Sequence, residues 1–328
     1  MRRVLIITGP GGDAQGWGDM KVTETMCETL NTGDLAAEIA YVVTRDDFMK
    51  ALSTQTYDIV WSALYYISQR EDIIGLGEDN EWVADMLDEK KIPYIGPNAE
   101  TMKHLIQKYE THRIMHENGV RVPAFTLVAA GGALPDVAYP AIVKPNCESR
   151  SVGISDDSVV HNRKEMERRV RYVHEKLEQA ALIEEYLPGD EYTVLMLGNG
   201  RLQEILPGLV TVDRTHFGKH QILRSDLRGV GLTKISIPKE RVEEAKELTK
   251  KATDALKCWD HVRVDMRVDA RGSLRVMEIN GIPGLKPIKS WSPQIYSLYH
   301  PSPGGPMEEY HNMLHLIAHS ALERHGIR

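Results

Sequence analysis

Cysteine is scarce. Cys27, Cys147 and Cys258 are the only three in 328 residues, and they stand far apart. That argues against a disulfide framework or a zinc site and fits a reducing compartment. A basic excess is also missing: 40 Lys and Arg face 47 Asp and Glu, for a net charge of −7. Nothing in that balance suggests a nucleic-acid partner. No apolar run reaches membrane-spanning length. The opening Met-Arg-Arg-Val-Leu-Ile-Ile-Thr-Gly has an apolar run too short for a signal peptide, so the expectation is a cytoplasmic chain. Repeats and low-complexity tracts are absent, and so is a phosphate loop of the G-x4-G-K-S/T kind, which argues against a Walker-type NTPase. What remains is 42% hydrophobic and 27% charged, ordinary for a soluble protein with length for two or three domains.

The most informative stretch is His261–Gly284, HVRVDMRVDARGSLRVMEINGIPG. Two strand-like runs, Val262–Val268 and Leu274–Ile279, flank the turn Asp269-Ala270-Arg271-Gly272 and read as a β-hairpin. Asp265 sits inside the first strand. Glu278 and Asn280 end the second, two apart and therefore on one face. Two carboxylates and an amide oxygen are hard ligands that suit Mg²⁺, which keeps positions open for substrate phosphates. Arg263 shares the face of Asp265 and can meet a phosphate or an anionic transition state. The competing reading is an edge strand with a solvated acidic face. It explains poorly why Glu278 leads straight into the loop Asn-Gly-Ile-Pro-Gly.

Upstream, strands and helices alternate. Val4–Thr8 reads as a buried strand entering a glycine loop, followed by a helix from about Lys21 to Leu30 and a strand near Ala37–Val43. Asp46–Leu52 then reads as helix, Tyr57–Trp61 as strand, Glu81–Asp88 as helix and Ile92–Ile95 as strand. This order predicts a doubly wound parallel sheet. Gly9-x-Gly11-x-x-Ala14 nominally fits a dinucleotide fingerprint, but no helix start is expected close behind it, and a substrate-facing loop is the better reading. Further on, Lys144 follows three apolar residues on a strand that otherwise wants burial, so it needs an anionic partner. The small-residue loop 146–153 can wrap phosphates with backbone N–H groups. Arg163–Leu177 is charged enough to present a solvated face, and Lys239–Leu256 is an amphipathic helix. Tyr192–Leu197 and Arg201–Leu206 form a second hairpin, and the long polar stretch Val212–Gly231 has the look of a lid.

R-V-D followed by M-E-I-N-G-I-P-G resembles the metal-binding strand pair of the ATP-grasp ligases, above all the D-alanine–D-alanine ligases. Their other motifs have counterparts in Ala63-Leu64-Tyr65, Gly77-Glu78-Asp79, Ile92–Gly96, Val143-Lys144-Pro145, Asn146–Gly153 and Gly189–Thr193. The resemblance implies an α/β ATP-grasp fold, with an N-terminal doubly wound parallel-sheet domain and two α+β domains enclosing ATP. Boundaries are expected at 1–97, 98–188 and 189–328. It implies ATP contacts by Lys108, Lys144 and Ser151, by the strand end Glu184, Glu185, Tyr186 and Leu187, by Glu191 on the ribose, and by Lys219 reaching the γ-phosphate. Asp265, Glu278 and Asn280 would hold Mg²⁺ or Mn²⁺, and Arg263 with the N–H near Gly284 would stabilise a tetrahedral oxyanion. Asp19 falls where the family binds the first amino acid's amine, and Ser290 near its second carboxylate site.

The implied activity is an ATP-dependent carboxylate–amine ligase working through an acylphosphate, and a homodimer is compatible with it. The alternatives are a cell-wall D-alanine–D-alanine ligase and a non-catalytic nucleotide-binding module. Departures cluster on the acceptor side: Tyr65 replaces the family's His, Ser149 its Gly and Arg150 its Ser, and Lys286 and Lys289 are added cations. These predict a substrate larger than alanine, carrying an anionic or polar group, as in specialised metabolism.

Overall fold

The computed structural model describes every residue except 70–79, 149, 225–226, 228–231 and 328, and the side chain of Arg214. The Gly77-Glu78-Asp79 segment, Ser149 and the later part of the 212–231 stretch, Arg228 included, lie outside the described residues.

The first sheet contains β1 (Arg2–Thr8), β2 (Leu35–Tyr41), β3 (Ile59–Ser62) and, after the short pair β4 (Tyr66–Ile67) and β5 (Glu81–Trp82), β6 (Tyr94–Ile95). Its order is β2-β1-β3-β6 and every pairing is parallel. Alternation explains the burial. Val4 and Ile6 join one apolar cluster while Leu5 and Ile7 join another on the opposite face, as a sheet covered on both sides requires. Helix Met20–Leu30 supplies the first cluster together with the chain's last helix, Pro306–Arg324, whose Tyr310, Leu314 and Ile317 are fully packed.

The second sheet is antiparallel, ordered β7-β10-β8-β9, from β7 (Phe125–Val128), β8 (Ala141–Pro145), β9 (Val159–Val160) and β10 (Ala181–Glu185). Helix Arg163–Lys176 covers it. That helix is charged outside, yet Met166, Val170 and Val173 form a buried stripe against the sheet, so the expected solvated face is one side of it. The third sheet runs β13-β12-β11-β14-β15, from β11 (Glu191–Leu197), β12 (Glu204–Val212), β13 (Thr233–Ser236), β14 (His261–Val268) and β15 (Leu274–Asn280). Helix Val242–Ala255 packs on it through Ala245, Leu248 and Ala252. The β11–β12 connection is wider than a two-residue turn, because a 3-10 turn occupies Gly200–Leu202.

The expected hairpin is β14–β15, with one irregularity. Asp265 lies opposite Glu278 and Arg263 opposite Asn280, but Met266 pairs with Val276. Met277 is therefore an extra residue, a β-bulge. Its effect is on facing. Ile279 and Val276 both enter the same core cluster although three residues apart; a strand of strict period two would put them on opposite faces. The bulge lets β15 keep its apolar side inward and still present Glu278 and Asn280 to the other side. Among the described residues no helix is long and apolar enough to cross a membrane.

Candidate active site

Two clefts meet at one point. The larger has a volume of about 460 Å³ and lies between the N-terminal glycine loop, Tyr65, the Ile282–Gly284 turn and the segment Lys286–Trp291. The smaller, about 110 Å³, lies between the second and third sheets and is lined by Ile142, Lys144, Glu191, Leu223 and Met277 among others. Lys108 and Glu278 line both clefts.

The site face of the β14–β15 hairpin is tightly bonded. Arg263 grips Asp265 with two parallel bonds, Nε to Oδ1 at 2.9 Å and Nη2 to Oδ2 at 2.8 Å. Thr193, opposite Asp265 on β11, donates to Oδ1 at 2.7 Å, and Asn280 Nδ2 donates to Oδ2 at 3.1 Å. Both charges are buried, Arg263 at 7% and Asp265 at 3% exposure. Buried charges of this kind need full pairing, and Asp265 has it. Trp291 lies over the guanidinium, 5.0 Å from ring centre to Cζ. His261, also buried, is pushed down to about 3 by burial and by the Arg263 charge, so its imidazole is neutral there. Glu278 faces Lys108 Nζ at 3.5 Å.

Two carboxylates and an amide on one face are a fitting donor set for Mg²⁺. Asp265 already accepts four hydrogen bonds, the full complement of a carboxylate. A cation would take the place of one of them, and the neutral Asn280 donor is the least costly to displace.

Lys108 is placed by its helix. Asn146 accepts the Lys108 N–H through its carbonyl at 3.1 Å and the Tyr109 N–H through Oδ1 at 2.9 Å. The start of helix Lys108–Glu117 is thus tied to the 146–153 loop, and Lys108 Nζ also donates to the Glu148 carbonyl. In that loop Arg150 and Ser151 adopt left-handed backbone, at φ 54° and 60°, an arrangement that is strained for residues with a Cβ and that concentrates at functional sites.

Lys144 finds its anionic partner inside the protein. Its Nζ lies 2.8 Å from Glu184 Oε2, and His112 Nε2 lies 2.9 Å from the other oxygen. Burial alone would raise the Glu184 carboxyl, but Lys144 and His112 outweigh it and hold it at about 2. The Lys144 ammonium still borders the smaller cleft. Lys144→Ala is therefore expected to act twice. Loss of a charge-assisted phosphate contact should weaken ATP by about tenfold to a hundredfold. Leaving Glu184 buried without its lysine should cost about 3–5 kcal/mol of stability. Adding Glu184→Leu should restore the melting temperature without restoring nucleotide affinity by calorimetry. Unchanged ATP affinity in Lys144→Ala would sink the phosphate role.

The other expected ATP residues are divided. Ser151 and Glu191 border the smaller cleft. Glu184, Glu185, Tyr186 and Leu187 are not among its described lining. The Glu185 and Tyr186 N–H groups are already given to the carbonyls of Ala124, at 2.8 Å, and Pro140, at 3.2 Å. Lys219 is exposed and lines neither cleft; its backbone N–H binds Asp156 Oδ2 at 3.2 Å. The reason is where the polar stretch docks. Arg267 donates to the Gln221 carbonyl, and Ile222 and Leu223 fold into the smaller cleft, so the apolar pair points inward and Lys219 outward.

Of the other expected site residues, Asp19, Tyr65, Arg150, Lys289, Ser290 and Gly284 all border the larger cleft. Asp19 doubles as N-cap of helix Met20–Leu30, accepting the Val22 N–H at 3.1 Å. The Tyr65 hydroxyl accepts from the Gly281 and Ile282 N–H groups at 3.1 and 3.2 Å. Its acceptor capacity is committed to holding that turn, which leaves the ring and the O–H donor. Arg150 is not a free cation: Nη1 donates to the Asp13 carbonyl at 2.7 Å and lies 3.1 Å from its carboxylate, across the cleft mouth. Ser290 Oγ accepts the Lys286 N–H at 3.0 Å.

Three residues escaped the sequence reading. Gln15 Oε1 accepts from both Tyr65 and Tyr66 N–H, at 3.0 and 3.1 Å. The glycine loop is not continuous either; a helical turn at Gly12–Gln15 presents that side chain. Trp17 is buried edge-on against Trp61 with centroids 5.8 Å apart, and its carbonyl accepts the Leu285 N–H at 3.0 Å. Trp291 covers Arg263. Two tryptophans flanking loops rich in glycine and proline were the available signal.

A parallel four-stranded sheet followed by two antiparallel sheets that grip a cleft between them is the ATP-grasp architecture. The D-alanine–D-alanine ligase of Bacillus anthracis in complex with ATP superposes with a TM-score of 0.71 over 99% of both chains at 20% identity. The VanG D-Ala:D-Ser ligase of Enterococcus faecalis does so with a TM-score of 0.70 at 17% identity, over 98% of this chain and 99% of that one. In sequence, the D-alanine–D-alanine ligase of Haemophilus influenzae is 27% identical over 64% of this chain and 71% of its own. An uncharacterised protein of Sinorhizobium fredii is 29% identical over 62% of this chain and 61% of its own length. The family model described as D-ala D-ala ligase C-terminus matches residues 131–297, just over half of the chain. The chain belongs to the D-alanine–D-alanine ligase family, whose members are ATP-dependent ligases that form carbon–nitrogen bonds.

Proposed function

We propose that the protein is an ATP-dependent carboxylate–amine ligase that joins an amino acid to a partner larger than alanine. One observation carries the chemistry: Lys108 and Glu278 stand where the two clefts meet, beside the paired Arg263 and Asp265. A nucleotide in the smaller cleft would direct its terminal phosphate to that junction, and a carboxylate in the larger cleft would meet it there.

A carboxylate oxygen attacks the γ-phosphorus and ADP leaves, giving an acylphosphate. The amine then attacks the acyl carbon, loses a proton, and the tetrahedral intermediate collapses with release of phosphate. Magnesium held by Asp265, Glu278 and Asn280 would neutralise phosphate charge during the first step. Arg263, fixed by Asp265 beneath and Trp291 above, faces the developing oxyanion, and preorganised charge of this kind is effective because nothing has to reorient. Asp19 keeps a second carboxylate oxygen for a substrate amine. Ser290 and the start of helix Trp291–Tyr299 favour a substrate carboxylate, since the positive end of a helix dipole attracts anions.

Substrate size rests on the 460 Å³ cleft, within the range that holds drug-sized ligands, and on Lys286 and Lys289 at its mouth. Both lysines are exposed, and Arg150 is paired to Asp13. Leaving them without a substrate anion therefore carries little penalty. They favour an anionic substrate without by themselves rejecting alanine. Phosphate release from ATP and Mg²⁺ across a panel of amino acids, singly and in pairs, is expected to be fastest with one partner that is acidic or bulkier than alanine. Efficient D-alanyl-D-alanine formation from D-alanine alone would overturn the substrate assignment and make the protein a cell-wall ligase, a reading that the relatives support equally.

A further inference from the structure

The last helix, Pro306–Arg324, carries His311, His315 and His319 at intervals of four. That spacing puts all three on one face. The His311 and His315 rings stack with centroids 4.1 Å apart, and the His319 ring lies tilted 5.8 Å from that of His315. Asp34, in the connection before β2, faces them. Its Oδ1 lies 3.1 Å from His319 Nε2 and 3.8 Å from His315 Nδ1. A ligand atom from each of Asp34, His315 and His319 lies within 4.8 Å of the other two.

We propose that Asp34, His315 and His319 form a binding site for one divalent transition-metal ion of the zinc type, separate from the ligase centre. Tetrahedral zinc with bonds of about 2.0–2.2 Å sets its donor atoms about 3.3–3.6 Å apart. The two measured separations bracket that spacing. Two imidazoles and one carboxylate select a borderline metal over Mg²⁺, which prefers an all-oxygen shell. An ordinary Asp–His ion pair needs one imidazole, whereas here three lie side by side, and as cations they would repel one another. His315 is 9% exposed, and Nδ1 is the ring nitrogen turned toward Asp34. Glycine at 33 permits the approach: a Cβ there would fall 2.5 Å from His315 Cε1. Asp34 and His319 are open to solvent, which gives the ion an entry path.

None of these residues lines either cleft, so the metal would act on the scaffold. It would clip the last helix to the connection between helix Met20–Leu30 and β2, whose packing completes the first sheet's core. The test is titration of the full chain with ZnCl₂ in MgCl₂ sufficient to saturate the ligase centre, read by calorimetry and by thermal melting. One equivalent of Zn²⁺ should bind and raise the melting temperature. Asp34→Ala/His319→Ala, at an exposed and a half-buried position, should weaken Zn²⁺ by at least about tenfold and abolish the thermal gain, with turnover in Mg²⁺ alone unchanged. If the double variant binds Zn²⁺ as the parent does, or the parent shows no saturable Zn²⁺ binding in excess Mg²⁺, the proposal fails.

Discussion

Glu278→Gln is expected to cut turnover by at least about a hundredfold while ATP still binds, because electrostatic groups at a phosphoryl-transfer centre are commonly worth that much or more. The substitution preserves size and the strand. It removes one of two carboxylates in the donor set, and it removes the anion that faces Lys108 at 3.5 Å. Lys108 would remain beside the 146–153 loop through the Glu148 carbonyl, so phosphate contacts survive and ATP affinity should fall modestly. Raising Mg²⁺ should recover part of the lost rate, since a weakened metal site fills at higher concentration. A variant with near-normal turnover at ordinary Mg²⁺ would remove the hairpin from the metal site.

Arg263→Ala is expected to be more damaging still, in both stability and rate. It strips Asp265 of two charge-assisted bonds in an environment where Asp265 is only 3% exposed. Removing one member of a buried pair typically costs about 3–5 kcal/mol, and Thr193 and Asn280 offset only part of that. Turnover should drop by about a hundredfold or more through loss of the oxyanion partner. Arg263→Lys separates the two effects. Lysine keeps a charge for Asp265 but lacks the planar fork and the stacking on Trp291, so the melting temperature should recover more than the rate. Equal recovery of both would mean that Arg263 serves the fold alone.

The hairpin was legible because its chemistry sits at period two. Asp265 with Arg263, and Glu278 with Asn280, could be put on one face from spacing alone, and the register pairs them across the strands. The bulge at Met277 was legible only as a conflict, with Val276 and Ile279 both apolar and three apart. Parallel pairing in the first sheet followed from alternating strands and helices, but not the use of the chain's last helix to cover it. Contacts between distant segments left no local trace. Arg150 pairs with Asp13, 137 positions away, and a charge that looks free in sequence is neutralised in the fold. Lys144 looked in need of a partner, and strand pairing of β8 with β10 supplied Glu184. Lys219 was placed in the site only by likeness to a family loop. With no periodicity in 212–231, nothing in the residues could say that Ile222 and Leu223 would turn inward instead.

The central claim is that a carboxylate oxygen is phosphorylated and later leaves with the phosphate. Positional isotope transfer tests it most directly. The amino-acid pair that drives phosphate release best is supplied with ¹⁸O in the carboxylate that becomes the amide, and the released phosphate is analysed by mass spectrometry or by ³¹P NMR. The mechanism built on Lys108, Arg263, Asp265 and Glu278 predicts one ¹⁸O atom in each phosphate released with product. Phosphate free of ¹⁸O, with amide product formed, would contradict it.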